Sequence, residues 1–65
     1  MANEKHSSTL VGWQITDLGG FHILTGQVMN DSRFEDGTFV HTSELVRVDF
    51  EKCEAETLNT IYKLV

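Results

Sequence analysis

Val46, Val48 and Phe50 alternate with Arg47 and Asp49. This period of two most limits what the chain can fold into, because it gives a strand one dry face, whereas a helix would scatter the same three side chains around its circumference. The pattern recurs along the chain. Leu10–Thr16 mixes β-branched and aromatic residues and sets Val11, Trp13 and Ile15 on one face of a first strand. In Phe21–Met29, Phe21, Ile23 and Thr25 share one face, and His22, Leu24 and Val28 tend to the other. Gly26, inside this second strand, predicts a bulge or tight bend of the kind that curls a short sheet. Thr38–Thr42 reads as a third strand and Leu45–Phe50 as a fourth, with Val46, Val48 and Phe50 inward. Thr57–Val65 reads as a fifth, with Leu58, Thr60, Tyr62 and Leu64 on one face and Thr57, Asn59 and Thr60 as surface decoration.

Turn residues separate these runs. Asp17-Leu18-Gly19-Gly20 supplies glycines free to take positive φ. Asn30–Gly37 is a long polar loop ending in Asp36-Gly37, a dipeptide suited to a type I′ turn. Glu51–Ala55 is a polar turn, so the last two strands should form an antiparallel hairpin. A helix over Ser43–Leu58, capped by Ser43, is the rival reading, and the alternation of Val46, Val48 and Phe50 opposes it. The expectation is an all-β fold, a small five-stranded antiparallel barrel or strongly bent sheet of SH3-like or OB-like kind. A flexible tail over residues 1–8 precedes a single small β domain over residues 9–65.

A chain of 65 residues buries only about 60% of its unfolded surface and is marginal alone. Such domains usually carry a disulfide, a metal or a partner subunit. Cys53 is the only cysteine, and His6, His22 and His41 are scattered singly without zinc-type spacing. An unusually good core or self-association remains, and self-association is the preferred reading, so a homo-oligomer, most simply a dimer, is expected through apolar strand faces or edges.

The net charge is −5, and residues 35–65 set three basic groups against seven acids. Direct nucleic-acid binding needs a basic face that releases counterions, so it is not expected. An acidic half either engages a basic protein surface or simply keeps the chain soluble. No apolar h-region, lipidation motif or run near the roughly 20 apolar residues of a membrane span is present, and the unpaired cysteine agrees with a reducing, cytoplasmic setting.

The richest chemistry lies in Asn30–Ser43. Arg33 beside Phe34 is the pairing that captures anions or stacks on bases, and Thr38, Thr42 and Ser43 add hydroxyl donors suited to phosphate oxygens, with His41 alongside. The structural alternative pairs Arg33 with Asp31, Glu35 or Asp36 and uses Phe34 to plug the end of a barrel. Asn30, Asp31, Glu35 and Asp36 lack the spacing of a calcium loop, and turn chemistry explains them. Cys53 lies among acids, which suppress its thiolate. His22 or His41 as its base, or Ser43 near His41, leaves a nucleophile without an orienting group. No enzyme, cofactor or metal site is expected.

The pattern Arg33-Phe34-x-Asp36-Gly37-Thr38-x-Val40-x-Thr42-Ser43, with Thr57-x-Asn59-x-x-Tyr62-x-Leu64, resembles a group of very short, uncharacterised bacterial and prophage-encoded accessory proteins over roughly residues 11–64. The resemblance implies an inhibitor or sponge acting on host defence rather than a catalyst. Two functions are therefore carried forward. One is a binding module that sequesters a small anionic, nucleotide-like ligand through Arg33, Phe34, Thr38, His41, Thr42 and Ser43. The other is an acidic inhibitor that docks on a basic host protein through Trp13, Glu51, Glu54 and Glu56, with Asp49 and Glu44 beside them.

Overall fold

The computed structural model describes residues 5–65. They form six strands and no helix: β1 (His6–Asp17), β2 (His22–Met29), β3 (Thr38–His41), β4 (Leu45–Asp49), β5 (Glu54–Thr57) and β6 (Thr60–Leu64). All six belong to one sheet in the order β3-β2-β1-β6-β5-β4. Two antiparallel meanders, β1-β2-β3 and β4-β5-β6, are joined by a parallel ladder between β1 and β6 that runs from His6↔Thr60 to Leu10↔Leu64.

The all-β expectation holds, but the count and the pairing differ. What reads as one strand over Thr57–Val65 is β6 and the end of β5, separated by a turn at Leu58-Asn59. The polar composition of Glu54-Ala55-Glu56 hides a strand, because only Ala55 of the three faces the core. The final hairpin is β5–β6 rather than a pairing of Leu45–Phe50 with Thr57–Val65. The parallel pair could not be read from the pattern, since period 2 fixes faces and not neighbours. It also recruits His6–Ser8, expected to fray, into β1 against Thr60–Tyr62. Residues 1–4 of the expected tail lie outside the described residues.

The sheet is not closed. β3 and β4 are its two edges. They are consecutive in the chain, linked by residues 42–44, and β2 also touches β4, so the sheet bends back on itself. The link is pinned from both sides. Thr42 N–H donates to Leu24 O at 2.8 Å, and Leu24 N–H donates to Thr42 Oγ1 at 2.9 Å. Leu58 N–H donates to Glu44 O at 3.1 Å, and Ser43 Oγ donates to Asn59 Oδ1 at 3.1 Å. Thr57 and Thr60 are fully buried, contrary to the surface role expected of them. Each hydroxyl has a local partner: Thr57 Oγ1 donates to Thr60 O and Thr60 Oγ1 to Asn59 Oδ1.

The core is Leu10, Leu24, Val28, Ala55, Tyr62 and Leu64, with Trp13, Val40, Leu45 and Val48 against it. Leu10, not Val11, leads on β1, and the reason is a bulge. Register jumps between Val11↔Gln27 and Gln14↔Thr25, so Gly12 and Trp13 together face the single residue Gly26. Gly12 takes φ +62° there, the left-handed conformation that glycine adopts without steric cost. The extra residue turns Trp13 toward the core, and Ile15, although paired with Leu24, stays exposed. Gly26 does not bulge itself; it makes room. A Cβ on it would stand 3.0 Å from Leu10 Cγ and from Val11 O, and 3.1 Å from Trp13 Cα.

A domain of this size has a total stability of about 3–10 kcal/mol. Leu10→Ala is expected to cost about 2–5 kcal/mol through its cavity, and Gly26→Ala about 1–3 kcal/mol through overpacking. Urea unfolding followed by Trp13 fluorescence measures both; a loss under 0.5 kcal/mol at either site would contradict this packing.

Candidate functional site

The loop between β2 and β3 is built by its own polar groups. Asn30 sits at φ 57°, and its N–H donates to Asp36 Oδ1 at 2.8 Å. Asp31 Oδ1 accepts from Arg33 N–H at 2.8 Å and from Arg33 Nε at 2.9 Å, and Asp31 Oδ2 accepts from Arg33 Nη2 at 2.6 Å. The Asp31 side chain is 1% exposed. Arg33 therefore grips a buried carboxylate with two parallel bonds, while its guanidinium carbon lies 5.4 Å from the Phe34 ring centre. These bonds hold the Asp31 carboxyl down at about 2, against the opposing effect of burial. The same bonds raise Arg33 above its ordinary value, with the Tyr62 hydroxyl contributing less. Phe34 is exposed rather than a plug. The type I′ turn does not form, because of its two central residues only Gly37 has positive φ. Instead Thr38 N–H donates to Glu35 O at 3.1 Å and Gly37 N–H to Val28 O at 2.7 Å.

The hydroxyls expected to greet a ligand are engaged within the fold. Thr38 Oγ1 donates to Glu35 O at 2.7 Å. Thr42 is buried and bridges Leu24 N–H to Ser43 O. Ser43 donates to Asn59 rather than to His41. His41 stands on the outer face of β3, its ring 5.5 Å from that of Phe39 in an edge-to-face pair. Loop and strand thus bring Arg33 and Phe34 together but not with Thr42, Ser43 and His41 around one cleft. Among the described residues there is no cavity and no group of three or more side chains able to hold a metal.

The second set of expected residues divides in two. Glu54 and Glu56 lie on the outer face of β5 in an ion network: Arg47 reaches Glu56 at 2.8 Å and Glu54 at 3.4 Å, and Lys5 binds Glu56 from the far side. Lys5 and then Arg47 lower the Glu56 carboxyl, and Glu56 followed by Glu54 raises Arg47. Glu51 is exposed in the β4–β5 turn. Asp49 shapes that turn, its Oδ1 accepting from Glu51 N–H at 3.1 Å and Lys52 N–H at 3.2 Å, and Cys53 completes it at φ 53°. Because β4 ends at Asp49, Phe50 leaves the ladder and is 65% exposed, although its spacing points inward. Val46 is likewise exposed, turned out by a register irregularity between Leu45 and Arg47. The Phe50 ring lies 6.5 Å from that of Trp13, which anchors it to the core. Sequence reasoning placed Trp13 at an interface but missed Phe50, and the only signal for it was the polar turn that follows.

Comparison with known protein families, curated proteins and solved structures gives no match.

The Asp31–Arg33 pair makes a test. A carboxyl at about 2 in the fold, against 3.8 ordinarily, stabilises fully above the ordinary carboxylate range and is lost as pH falls through about 2. The near two-unit shift corresponds to about 2 kcal/mol. The stability gap between wild type and Asp31→Asn is expected to be widest above pH 5 and to shrink steadily toward pH 2. A gap that is constant with pH in chemical unfolding would show that the ion pair contributes nothing.

Proposed function

We propose that this protein is a non-enzymatic protein-binding module. It docks through the end of the sheet where Trp13, Phe50 and Glu51 meet, onto a partner surface that is apolar at its centre and basic at its rim. This is the inhibitor reading, with its contact redrawn. The observation that carries it is the exposed Phe50 ring held against the half-buried Trp13, next in the chain to Glu51, an exposed acid with no ion pair among the described residues. Aromatic side chains fixed by a neighbour lose little freedom on binding and dominate contact energies. Glu54 and Glu56 are already neutralised by Arg47 and Lys5, so they set the long-range field more than the contact itself. The bend that brings β4 against β2 supports reading the sheet as an opened barrel of SH3-like or OB-like kind. An accessory, anti-defence role in the cytoplasm fits the resemblance to short prophage-encoded proteins.

Capture of a small anion by Arg33 and Phe34 is the second reading, favoured by the cation over an exposed ring. It has less support, because Asp31 already occupies the guanidinium and Thr38, Thr42 and Ser43 spend their hydroxyls internally.

A photo-reactive phenylalanine analogue at position 50, introduced in the producing cell, is expected to cross-link one partner protein; the same group at Phe34 should not. Against that purified partner, Phe50→Ala should weaken binding by about 2 kcal/mol or more without changing the melting temperature. Glu51→Lys should slow association, most strongly at low salt. Phe50→Ala binding as tightly as wild type would refute the proposed contact. A nucleotide that stabilises wild type but not Arg33→Ala would move the function to the loop.

A further inference from the structure

We propose that β3 is a self-pairing edge, by which two copies of this chain join their sheets antiparallel about a two-fold axis at Val40, with Phe39 opposite His41 of the second copy. The two edges of the sheet are not alike. β4 is guarded: Arg47 and Asp49 place a charge of each sign on it, and an irregularity between Leu45 and Arg47 breaks its line. Charge and bulges are the devices that keep an edge strand from pairing further. β3 has neither. Thr38-Phe39-Val40-His41 contains no acid, no lysine or arginine and no proline, and its register with β2 is unbroken from Thr25↔His41 to Val28↔Thr38.

The ladder pattern selects the register. One residue past β3, Thr42 N–H donates to Leu24 O, so the backbone of position 42 faces β2. In an antiparallel pair such bonded positions alternate, so Val40, paired with Gly26, also turns its N–H and C=O toward β2. Phe39 and His41 then turn theirs toward the empty side. A two-fold axis at Val40 sets those two residues of one copy against the same two of the other, giving a bonded pair at each. It also joins the two edge-to-face Phe39–His41 pairs on the outer face, where Phe39 is 60% exposed in the single chain. Cross-strand aromatic pairs are favourable contacts in a sheet.

A second copy is the occupant because the row is complementary to itself about that axis, Phe39 meeting His41 at both ends, and charge leaves two copies this edge rather than another surface. Each molecule carries a net −5, so two copies repel over most of their surfaces. The β3 row is a stretch where neither carries a formal charge, and it is complementary to itself.

Light scattering and sedimentation from micromolar to millimolar protein test the inference. Wild type should approach twice the 7.4 kDa chain mass as concentration rises, and amide exchange at Phe39 and His41 should slow in parallel. Phe39→Lys should stay monomeric with an unchanged circular dichroism spectrum, whereas Val46→Lys on the other edge should associate like wild type. A wild type that is monomeric throughout, a folded Phe39→Lys that still dimerises, or Phe39 and His41 amides whose exchange ignores concentration would each overturn it. None of these readouts depends on Phe50 or on an external partner.

Discussion

The parallel ladder between β1 and β6 is the constraint on which the rest of the molecule depends. It is the one ladder that joins the two meanders, from His6↔Thr60 to Leu10↔Leu64. Through it Leu10 and Leu64 lie side by side with Tyr62 in the core, and Val65 N–H donates to Leu10 O at 3.0 Å where the ladder ends. Pairing the first strand with the last is the most non-local contact a chain can make, and its loop-closure cost falls on a domain with little area to offset it. The molecule meets that cost by polar satisfaction as well as burial. Every buried side-chain nitrogen or oxygen among the described residues has a hydrogen-bond partner, so no polar side chain is buried there without compensation.

Polar groups in this protein act mostly as fasteners. Asp31 and Arg33 close the β2–β3 loop, Asp36 ties it to Asn30, Thr42 stitches the link to β2, and Asn59 accepts from Ser43 and Thr60. In the fold, polar groups of the Asn30–Ser43 segment hold the loop and the β3–β4 link in place. In a domain with so small a core, side-chain bonds to loops do the work that a disulfide or a metal does elsewhere.

Large apolar side chains also reach the surface. Phe39 and Phe50 stand out at opposite ends of the strand order, one on edge strand β3 and one just beyond edge strand β4. In the readings proposed above, these two rings are the points of contact with a partner and with a second copy. The two rings are held differently, Phe50 beside Trp13 and Phe39 edge-to-face with His41, so the two proposed contacts use separate ends of the sheet.

The presence of strands around Leu24, Val48 and Tyr62, the turn at Gly19-Gly20 and the loop at Asn30–Gly37 were legible in the sequence, because each depends on side chains a few positions apart, but the dry face expected of Val46, Val48 and Phe50 was not kept. The same locality made the Arg33–Asp31 pairing readable as the alternative to a ligand site. Tertiary structure alone decided the rest. The bulge at Gly12, rather than at Gly26, arises because two strands must cross closely where Gly26 has no Cβ, and only their pairing reveals which strand yields. Glu54–Thr57 became a strand because neighbours on both sides supply its hydrogen bonds, despite a composition that reads as a turn. Phe50 faces solvent because Asp49 ends β4 one residue early. The outward reach of Phe39 and His41 was decided when the sheet stopped at β3, since a strand pattern assigns side chains to faces but says nothing about which strand has a neighbour and which is left at an edge.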